Sequence, residues 1–227
     1  MKVVALMSGG LDSCTTAARL AIEGHYIFPL FINYGQRAAF REKEAAKKYL
    51  SKSMEKIRTL NSLAEAEISL PFLISSLVGS TEITRKDDNA FHSFEAKKID
   101  WAPARNIILV SIAAAYCETV GARAISIGAY KEDEMPPYPD SSREFFDSMQ
   151  ISLSKGMYGD EFEIVTPFIG YYKCDMVTYS EKNSLPIELT WSCYDNLEVH
   201  CGLCRNCVDR KKAFHSARAE DPTQYAI

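Results

Sequence analysis

The feature of this chain that most constrains its fold is the alternation of short apolar runs with stretches of helical periodicity. Residues 3–7 and 26–34 are predicted strands, and residues 12–24 and 40–50 are the amphipathic helices that follow them. A repeat of strand and helix is typical of a parallel sheet covered by helices on its faces. We therefore predict an α/β fold built on a mostly parallel sheet.

The same alternation continues along the rest of the chain, apart from one irregular stretch. Residues 61–100 hold no clear period, which is typical of a lid, a binding loop or a partly disordered segment. The other predicted elements are strands at 57–60, 124–129 and 163–167, helices at 104–120, 144–155 and 172–183, and a loop rich in proline and acidic residues at 130–142.

Composition excludes several classes of function. The chain has 227 residues, of which 47% are hydrophobic, so it can bury a substantial core. A net charge of -4 gives no general basic surface, which makes nucleic-acid binding a poor expectation and a small-molecule substrate a better one. No apolar run approaches the ~18 residues of a membrane span, and residues 1–7 are too short for a signal peptide. We expect a cytoplasmic protein that does not bind membranes.

The stretch LMSGGLDS, residues 6–13, lies where the first strand turns into the first helix. Two glycines after a buried strand let the backbone take positive φ and turn successive N–H groups into one concavity, and the helix adds its positive end. Ser8 and Ser13 add hydroxyl donors, whereas Asp12 suits a metal ion that accompanies an anion. The alternative is a plain glycine turn with an Asp or Ser helix cap.

Four of the seven cysteines lie close together in sequence, in the spacing C-x7-C-x2-C-x2-C. This spacing is typical of a tetrahedral zinc site, and four sulfur ligands close the shell, which indicates a structural ion. An iron–sulfur cluster is the alternative, and His200 is a further possible ligand. The predicted ligands are Cys193, Cys201, Cys204 and Cys207. The remaining three, Cys14, Cys117 and Cys174, are predicted to be core residues.

The string SGGLDS after an apolar strand resembles the pyrophosphate loop of the ATP pyrophosphatase superfamily. The resemblance implies a Rossmann-like fold of the adenine nucleotide α-hydrolase kind. It also implies that ATP is cleaved between its α and β phosphates, with Mg²⁺ present, so that a substrate is adenylated. The nucleotide-binding residues that the resemblance implies are Met7, Ser8, Gly9, Gly10, Leu11, Asp12 and Ser13.

Further along the chain, residues 190–214 (TWSCYDNLEVHCGLCRNCVDRKKAF) resemble the 7-cyano-7-deazaguanine synthases. Other matching segments follow in the same order: YGQR at 34–37, PARN at 103–106, YPD at 138–140, and Thr166-Pro167 followed by Lys173. The family is similar to this sequence over nearly the whole chain, except residues 50–99. It implies a carbon–nitrogen ligase that adenylates 7-carboxy-7-deazaguanine with ATP, adds ammonia to form an amide, and uses a second ATP to form the nitrile.

Roles for several residues come with this resemblance. It implies nucleotide contacts for Tyr34, Gln36 and Arg37, and substrate contacts for Arg105, Tyr138, Asp140 and Lys173. It also implies catalytic roles for Ser8, Asp12, Ser13, Arg105 and Lys173. The sequence itself supports Lys173, because a cation near a helix start opposes the helix dipole unless an anion is bound. A solvated surface lysine is the alternative.

The sequence departs from the family pattern at four places: Ala38 stands where a histidine is usual, Ser141 stands where a cysteine is usual, residues 132–137 are unusually acidic and proline-rich, and residues 61–100 diverge. These departures bear on which acid is adenylated and which amine attacks the adenylate. Three alternatives follow: a relative, as in anti-phage defence, that stops at the amide or conjugates the acid to a protein or other macromolecular amine; a tRNA sulfur-transfer enzyme; and a nucleotide sensor. We expect a nucleotide-binding domain at 1–190, a zinc-binding segment at 191–227, and a homodimer.

Overall fold

The computed structural model describes residues 1–71, 102, 104–131, 138–159 and 161–227. Its strands are β1 Lys2–Leu6, β2 Tyr26–Asn33, β3 Ala64–Glu67, β4 Ala124–Ser126 and β5 Glu163–Val165. Its α-helices are α1 Leu11–Ile22, α2 Ala39–Met54, α3 Arg105–Val120, α4 Arg143–Gly156, α5 Lys173–Lys182 and α6 Arg205–Ala217. Two short 3-10 helices lie at Pro139–Ser141 and Ile187–Leu189.

The five strands form one sheet in the order β3-β2-β1-β4-β5, and every neighbouring pair is parallel. This confirms the predicted α/β class. The strand order reverses between β1 and β4: the chain runs from β1 outward to β2 and β3 on one side and from β4 outward to β5 on the other. A crevice at that point is where open α/β sheets bind ligands.

Helices cover both faces of the sheet, and each face has its own apolar core. Val3 and Ala5 of β1 pack on one side with residues of α1, α2, α5 and α6. Val4 of the same strand packs on the other side with residues of α3 and α4. Burial on both faces explains why β1 reads as a continuous apolar run. Within the described part of the chain, no helix is long and apolar enough to cross a membrane.

The strand predicted at residues 57–60 is wrong, because the third strand is β3, a few residues later. Leu60 makes only an isolated bridge to Ile27, and the backbone around it serves as a connector. In β3, Ala66 packs on the core while Glu65 faces outward and pairs with Lys43 and Lys47. A short edge strand of this kind has little apolar character, so its sequence contains no apolar run that would predict it.

The other predicted elements agree with the structure to within a few residues. Of the irregular stretch 61–100, residues 72–100 lie outside the described residues, as do residues 132–137 of the predicted loop. Cys14 and Cys117 are buried, which confirms their core assignment, whereas Cys174 is only half-buried and does not belong to the core.

The end of the chain packs onto the same core as the sheet, because Ala213 and Phe214 of α6 lie among the residues of the first face. Arg210 on this helix has no solvent exposure. It donates hydrogen bonds to the hydroxyls of Thr190, Ser192 and Thr223 and to the carbonyl of Ile187. Its guanidinium therefore holds α6 to the segments on either side of it, a role that the sequence did not indicate.

Replacing Arg210 should therefore destabilise the protein strongly. Arg210→Met leaves buried hydroxyls without a donor and Asp221, 3.6 Å from the guanidinium, without its cation. Loss of one partner in such a buried arrangement costs about 3–5 kcal/mol of unfolding free energy. Urea unfolding followed by circular dichroism measures it. The control is Lys212→Met on the exposed side of the same helix, and equal stability of the two variants would contradict the role given to Arg210.

Gly9 permits the chain to pass from β1 into α1 against the backbone of α2. Its φ is +81°, and a Cβ at this position would lie 2.2 Å from the carbonyl oxygen of Glu42. Both the left-handed conformation and the close contact with main-chain atoms require glycine.

A comparison of two glycines tests this packing. Gly24 also has positive φ, at +92°, but a Cβ there would meet nothing within 4 Å. Gly24→Ala should cost about 1–2 kcal/mol from backbone strain alone, and Gly9→Ala should cost more because the α2 backbone must also move. Chemical denaturation of both variants decides the point, and equal losses would show that the contact with α2 is unimportant.

Candidate active site

A cavity of about 280 Å³ lies at the carboxyl edge of the sheet, where β1 and β4 separate. Its walls come from the first loop, the ends of β2 and β4, the start of α3 and the start of α6. Among the lining residues are Ser8, Asp12, Ser13, Tyr34, Gln36, Glu42, Arg105, Tyr130, Tyr138, Tyr194 and Arg205. The structure therefore brings together side chains that are up to about two hundred positions apart in the sequence.

The first loop has the backbone geometry expected of an anion-binding turn, with one difference at Gly10. Gly9 has positive φ, but Gly10 does not: it is extended at φ -73° and is the N-cap of α1. No side chain caps this helix. Its first N–H groups are thus available to an anion beside the positive end of the helix dipole. The alternative of an Asp or Ser cap is wrong.

The hydroxyls of Ser8 and Ser13 lie 3.2 Å apart and bond to the loop itself. Ser13 Oγ accepts from the N–H of Ser8 and donates to the carbonyl of Gly10. These bonds hold the loop in shape and place both hydroxyls in the wall of the cavity. Gly128 at the end of β4 lets α1 approach, since a Cβ there would lie 2.8 Å from the backbone of Asp12 and Ser13.

Asp12 and Lys173 form an ion pair that joins α1 to α5. Lys173 is the first residue of α5 and is only 4% exposed, so the alternative of a solvated surface lysine is wrong. Its Nζ lies 2.9 Å from Asp12 Oδ2 and 3.4 Å from the hydroxyl of Tyr130. A buried ammonium is stable only when it is paired, so Asp12 fixes this cation beside the first loop.

The other carboxylate oxygen of Asp12 fits a divalent cation. Asp12 Oδ1 is buried and has no hydrogen-bond partner among the residues that the structure describes. Such an oxygen is costly unless it binds a donor or an ion. Carboxylate oxygen is the ligand that Mg²⁺ prefers, usually together with substrate phosphates.

In the YGQR segment after β2, the side chains of Gln36 and Arg37 bond to other parts of the protein. Gln36 is buried, and its side chain donates to the carbonyl of Ile32 and to Glu42 Oε2 while accepting from the N–H of Tyr34. Arg37 donates to Asp195 at 2.6 Å and so reaches the cysteine-containing segment. Tyr34 and Gln36 line the main cavity, whereas Arg37 lines a smaller cavity beside it. Their contacts with a nucleotide stay predictions.

Glu42 is a cavity residue that the sequence analysis missed. Burial raises its pKa to about 7, against the lowering effects of the hydrogen bond from Gln36 and the charge of Arg105. One signal could have found it: Glu42 precedes the buried Ala46 and Tyr49 by four and seven positions, so it lies on the inner face of α2. An acidic residue on an apolar helix face indicates a functional site.

Arg105 begins α3 and lines the cavity beside Tyr34. Burial raises the pKa of Tyr34, and the charge of Arg105 opposes this rise. Tyr138 also lines the cavity, and its hydroxyl accepts a hydrogen bond from Arg205 at 3.2 Å.

Asp140 does not line the cavity and instead holds α3 in place. Its carboxylate accepts from the N–H of Asn106 at 3.0 Å, and its carbonyl accepts from the Asn106 side chain at 2.7 Å. The predicted substrate contact of Asp140 thus has no geometric support, although Ser141 beside it reaches the cavity wall.

The four clustered cysteines converge on one point. The sulfurs of Cys193, Cys201, Cys204 and Cys207 all lie within 4.8 Å of one another. A tetrahedral ion at Zn–S distances of about 2.3 Å would hold its sulfurs about 3.8 Å apart, close to the 3.9 Å between Cys201 and Cys207 and the 4.0 Å between Cys204 and Cys193. The cluster can therefore bind a metal ion.

Neighbouring groups orient the cluster and tie it to the cavity. Backbone N–H groups of Asp195 and Cys201 point at the sulfur of Cys193, as expected for a thiolate ligand. His200 is not a fifth ligand, because its Nε2 accepts from the N–H of Ser192 and its ring stacks on Trp191. The N–H of Trp191 in turn donates to the carbonyl of Gly9 at 2.8 Å.

This fold and loop define a Rossmann-like nucleotide-binding protein of the pyrophosphate-loop class. A solved 4-thiouridine synthetase in complex with RNA, with bound ATP, is similar in fold, at a TM-score of 0.50 and 15% identity over 99% of this chain and 47% of that one.

The chain belongs to the family described as Queuosine biosynthesis protein QueC, whose family model matches residues 2–218. Curated relatives named 7-cyano-7-deazaguanine synthase include those of Methanobrevibacter smithii, 35% identical over 99% of this chain and 97% of its own length, and Methanospirillum hungatei, 36% identical over 99% and 100%. A third, from Nautilia profundicola, is 35% identical over 99% and 98%.

Proposed function

We propose that this protein is an ATP-dependent carbon–nitrogen ligase that converts 7-carboxy-7-deazaguanine and ammonia into 7-cyano-7-deazaguanine, releasing AMP and pyrophosphate. Family membership and the names of the relatives support this substrate. The observation that carries the reaction type is the uncapped start of α1 at a cavity that Asp12 lines, with Asp12 paired to the buried ammonium of Lys173.

The first step needs an activated acid. A carboxylate is a poor acyl donor because its leaving group would be oxide, whereas adenylation makes the leaving group AMP. The acid attacks the α-phosphorus of ATP, and pyrophosphate departs with the developing negative charge. In this proposal the N–H groups at the start of α1 and the hydroxyls of Ser8 and Ser13 bind that charge, and such preorganised donors are worth about 3–4 kcal/mol.

Lys173 adds a fixed positive charge to this step. Because Asp12 already holds the ammonium inside the protein, little reorganisation is needed when the phosphates arrive. A magnesium ion bound through Asp12 would neutralise phosphate charge when present. Arg105, which also lines the cavity, would bind the acid or the α-phosphate.

The remaining steps use the same cavity twice. Ammonia displaces AMP from the acyl adenylate and gives the amide. A second ATP then adenylates the amide oxygen, and loss of AMP with two protons from nitrogen leaves the nitrile. Because both activations form an O–P bond and release pyrophosphate, one phosphate-binding loop serves both. Tyr138, fixed by Arg205, would contact the deazaguanine ring.

We propose a structural role for the metal, with zinc as the ion. Four thiolates fill a tetrahedral shell and leave no position for substrate, and the sulfurs lie as close together as ligands of a single ion. In an iron–sulfur cluster the thiolates bind different iron atoms and lie further apart. We also propose a cytoplasmic homodimer, for which sedimentation and fractionation are the tests.

Lys173 provides a test of the nucleotide site. Lys173→Met removes the buried cation, so AMP formation from 7-carboxy-7-deazaguanine, ammonium, Mg²⁺ and ATP should fall about 10²–10³-fold. Mass spectrometry of the products measures AMP, amide and nitrile together. The control is Lys182→Met, at the exposed far end of the same helix, which should change the rate less than twofold. Unchanged AMP release by Lys173→Met, or ADP in place of AMP, would overturn the proposal.

The metal assignment is tested by elemental analysis of the purified protein. We expect one zinc per chain and no iron, and Cys204→Ser should lower the zinc content to well under half. Cys174→Ser removes a cysteine outside the cluster and should leave the zinc content unchanged. Four irons per chain with the visible absorption of an iron–sulfur cluster would instead show that the cysteines bind such a cluster.

A further inference from the structure

A second, smaller cavity of about 30 Å³ lies beside the main one. Five residues line both cavities, namely Tyr34, Gln36, Glu42, Arg105 and Tyr194. We call the smaller cavity the recess. A single water needs roughly 10–15 Å³ of such volume, so the recess accepts one or two molecules of the size of water or ammonia.

Among the described residues that line the recess, one is acidic and the others are polar, basic or apolar. The acidic residue is Glu42 of α2. Its Oε2 accepts a hydrogen bond from the side chain of Gln36, and the carboxylate can accept further hydrogen bonds. The other ionisable groups around the recess are Arg37 and Tyr34 from the end of β2, Arg105 from α3, and Tyr194 from the cysteine-containing segment. Glu42 is thus the group in the recess wall that can accept a proton at neutral pH.

We propose that the recess binds the nitrogen nucleophile as ammonium, and that Glu42 removes the proton that frees its lone pair. This inference rests on the proposed function, because it assigns the amine site of that reaction. It favours a small free amine, since the recess has room for only one or two molecules of the size of ammonia.

The step balances without any further reagent. Glu42 takes one proton from ammonium and becomes a neutral acid, and ammonia attacks the acyl carbon of the adenylate. The C–N bond forms as the C–O bond to AMP breaks, and AMP leaves with that electron pair. The nitrogen loses its second excess proton to water, and Glu42 returns its proton to solvent before the next turnover.

The electrostatics of Glu42 suit this role. Burial raises its pKa to about 7, so the carboxylate is present at neutral pH yet is far more basic than an exposed glutamate. A general base is most effective when its pKa lies near the working pH. Since the ionised form is the base, activity with ammonium should be lost as the pH falls through about 7.

The pH dependence of kcat/KM for total ammonium tests the proposal. In the wild type it should rise to a plateau above pH 7. In Glu42→Gln it should fall at least 50-fold at pH 7.5 and keep rising until ammonium itself deprotonates, because only free ammonia then reacts. Glu44→Gln on the same helix, outside both cavities, should match the wild type. A plateau in Glu42→Gln, or an unchanged KM for ammonium, overturns the proposal.

Hydroxylamine separates proton removal from structural damage. It is already uncharged at neutral pH and needs no base, so Glu42→Gln should still form the hydroxamate from the adenylate at a rate within about threefold of the wild type. Exchange of labelled pyrophosphate into ATP in the presence of the acid reports adenylation alone. If the wild type shows no exchange, the proposed function is rejected. If Glu42→Gln retains exchange but its rates with ammonium and with hydroxylamine fall equally, the role of Glu42 is rejected.

A second variant changes the volume of the recess without changing its charge. Ala38 is buried and lines the recess but not the main cavity. Ala38→Val should raise KM for ammonium at least tenfold and leave pyrophosphate exchange unchanged. The matched control is Ala39→Val, at the neighbouring position outside both cavities. If both variants fold, as judged by thermal unfolding, and show the same KM for ammonium, the recess is not the amine site.

Discussion

The arrangement of this site depends on how closely the first loop approaches helix α2. At Gly9 the main chains of the two segments come so near that a single added carbon would meet the carbonyl of Glu42. That contact sets the direction in which α1 leaves the sheet, and a comparable contact at Gly128 fixes the other side of its first turn. The donors at the start of α1 therefore face the cavity because two residues have no side chain.

A buried ion pair and a buried guanidinium connect this turn to the second half of the chain. Lys173 joins α5 to Asp12, and the N–H of Trp191 joins the cysteine-containing segment to Gly9. Arg210 then holds that segment against α6. The predicted division at residue 190 is crossed by these bonds and by a shared core, so residues 191–227 serve as part of one wall of the cavity.

Sequence patterns indicated the sheet, the turn after β1 and the cysteine cluster because each of these depends on residues close together in the chain. The apolar runs of β1 and β2 and the spacing of the cysteines are local signals. The edge strand Ala64–Glu67 was missed because it buries little apolar surface. The bond from Asn106 to the Asp140 carboxylate joins residues 34 positions apart, so no local pattern indicates it. Glu42 and Arg210 are polar residues whose roles come only from tertiary contacts.

The path of hydrogen bonds and ion pairs from the sulfur cluster to the first loop has a thermodynamic consequence. Arg37 and Asp195 form one link in it, and Trp191 and Gly9 form the other. If the filled cluster favours the loop geometry that binds phosphates, then bound phosphates must favour the filled cluster to the same degree, since coupling between two sites is reciprocal. Under such coupling, bound ATP would help to retain the ion, and loss of the ion would weaken nucleotide binding by the same factor.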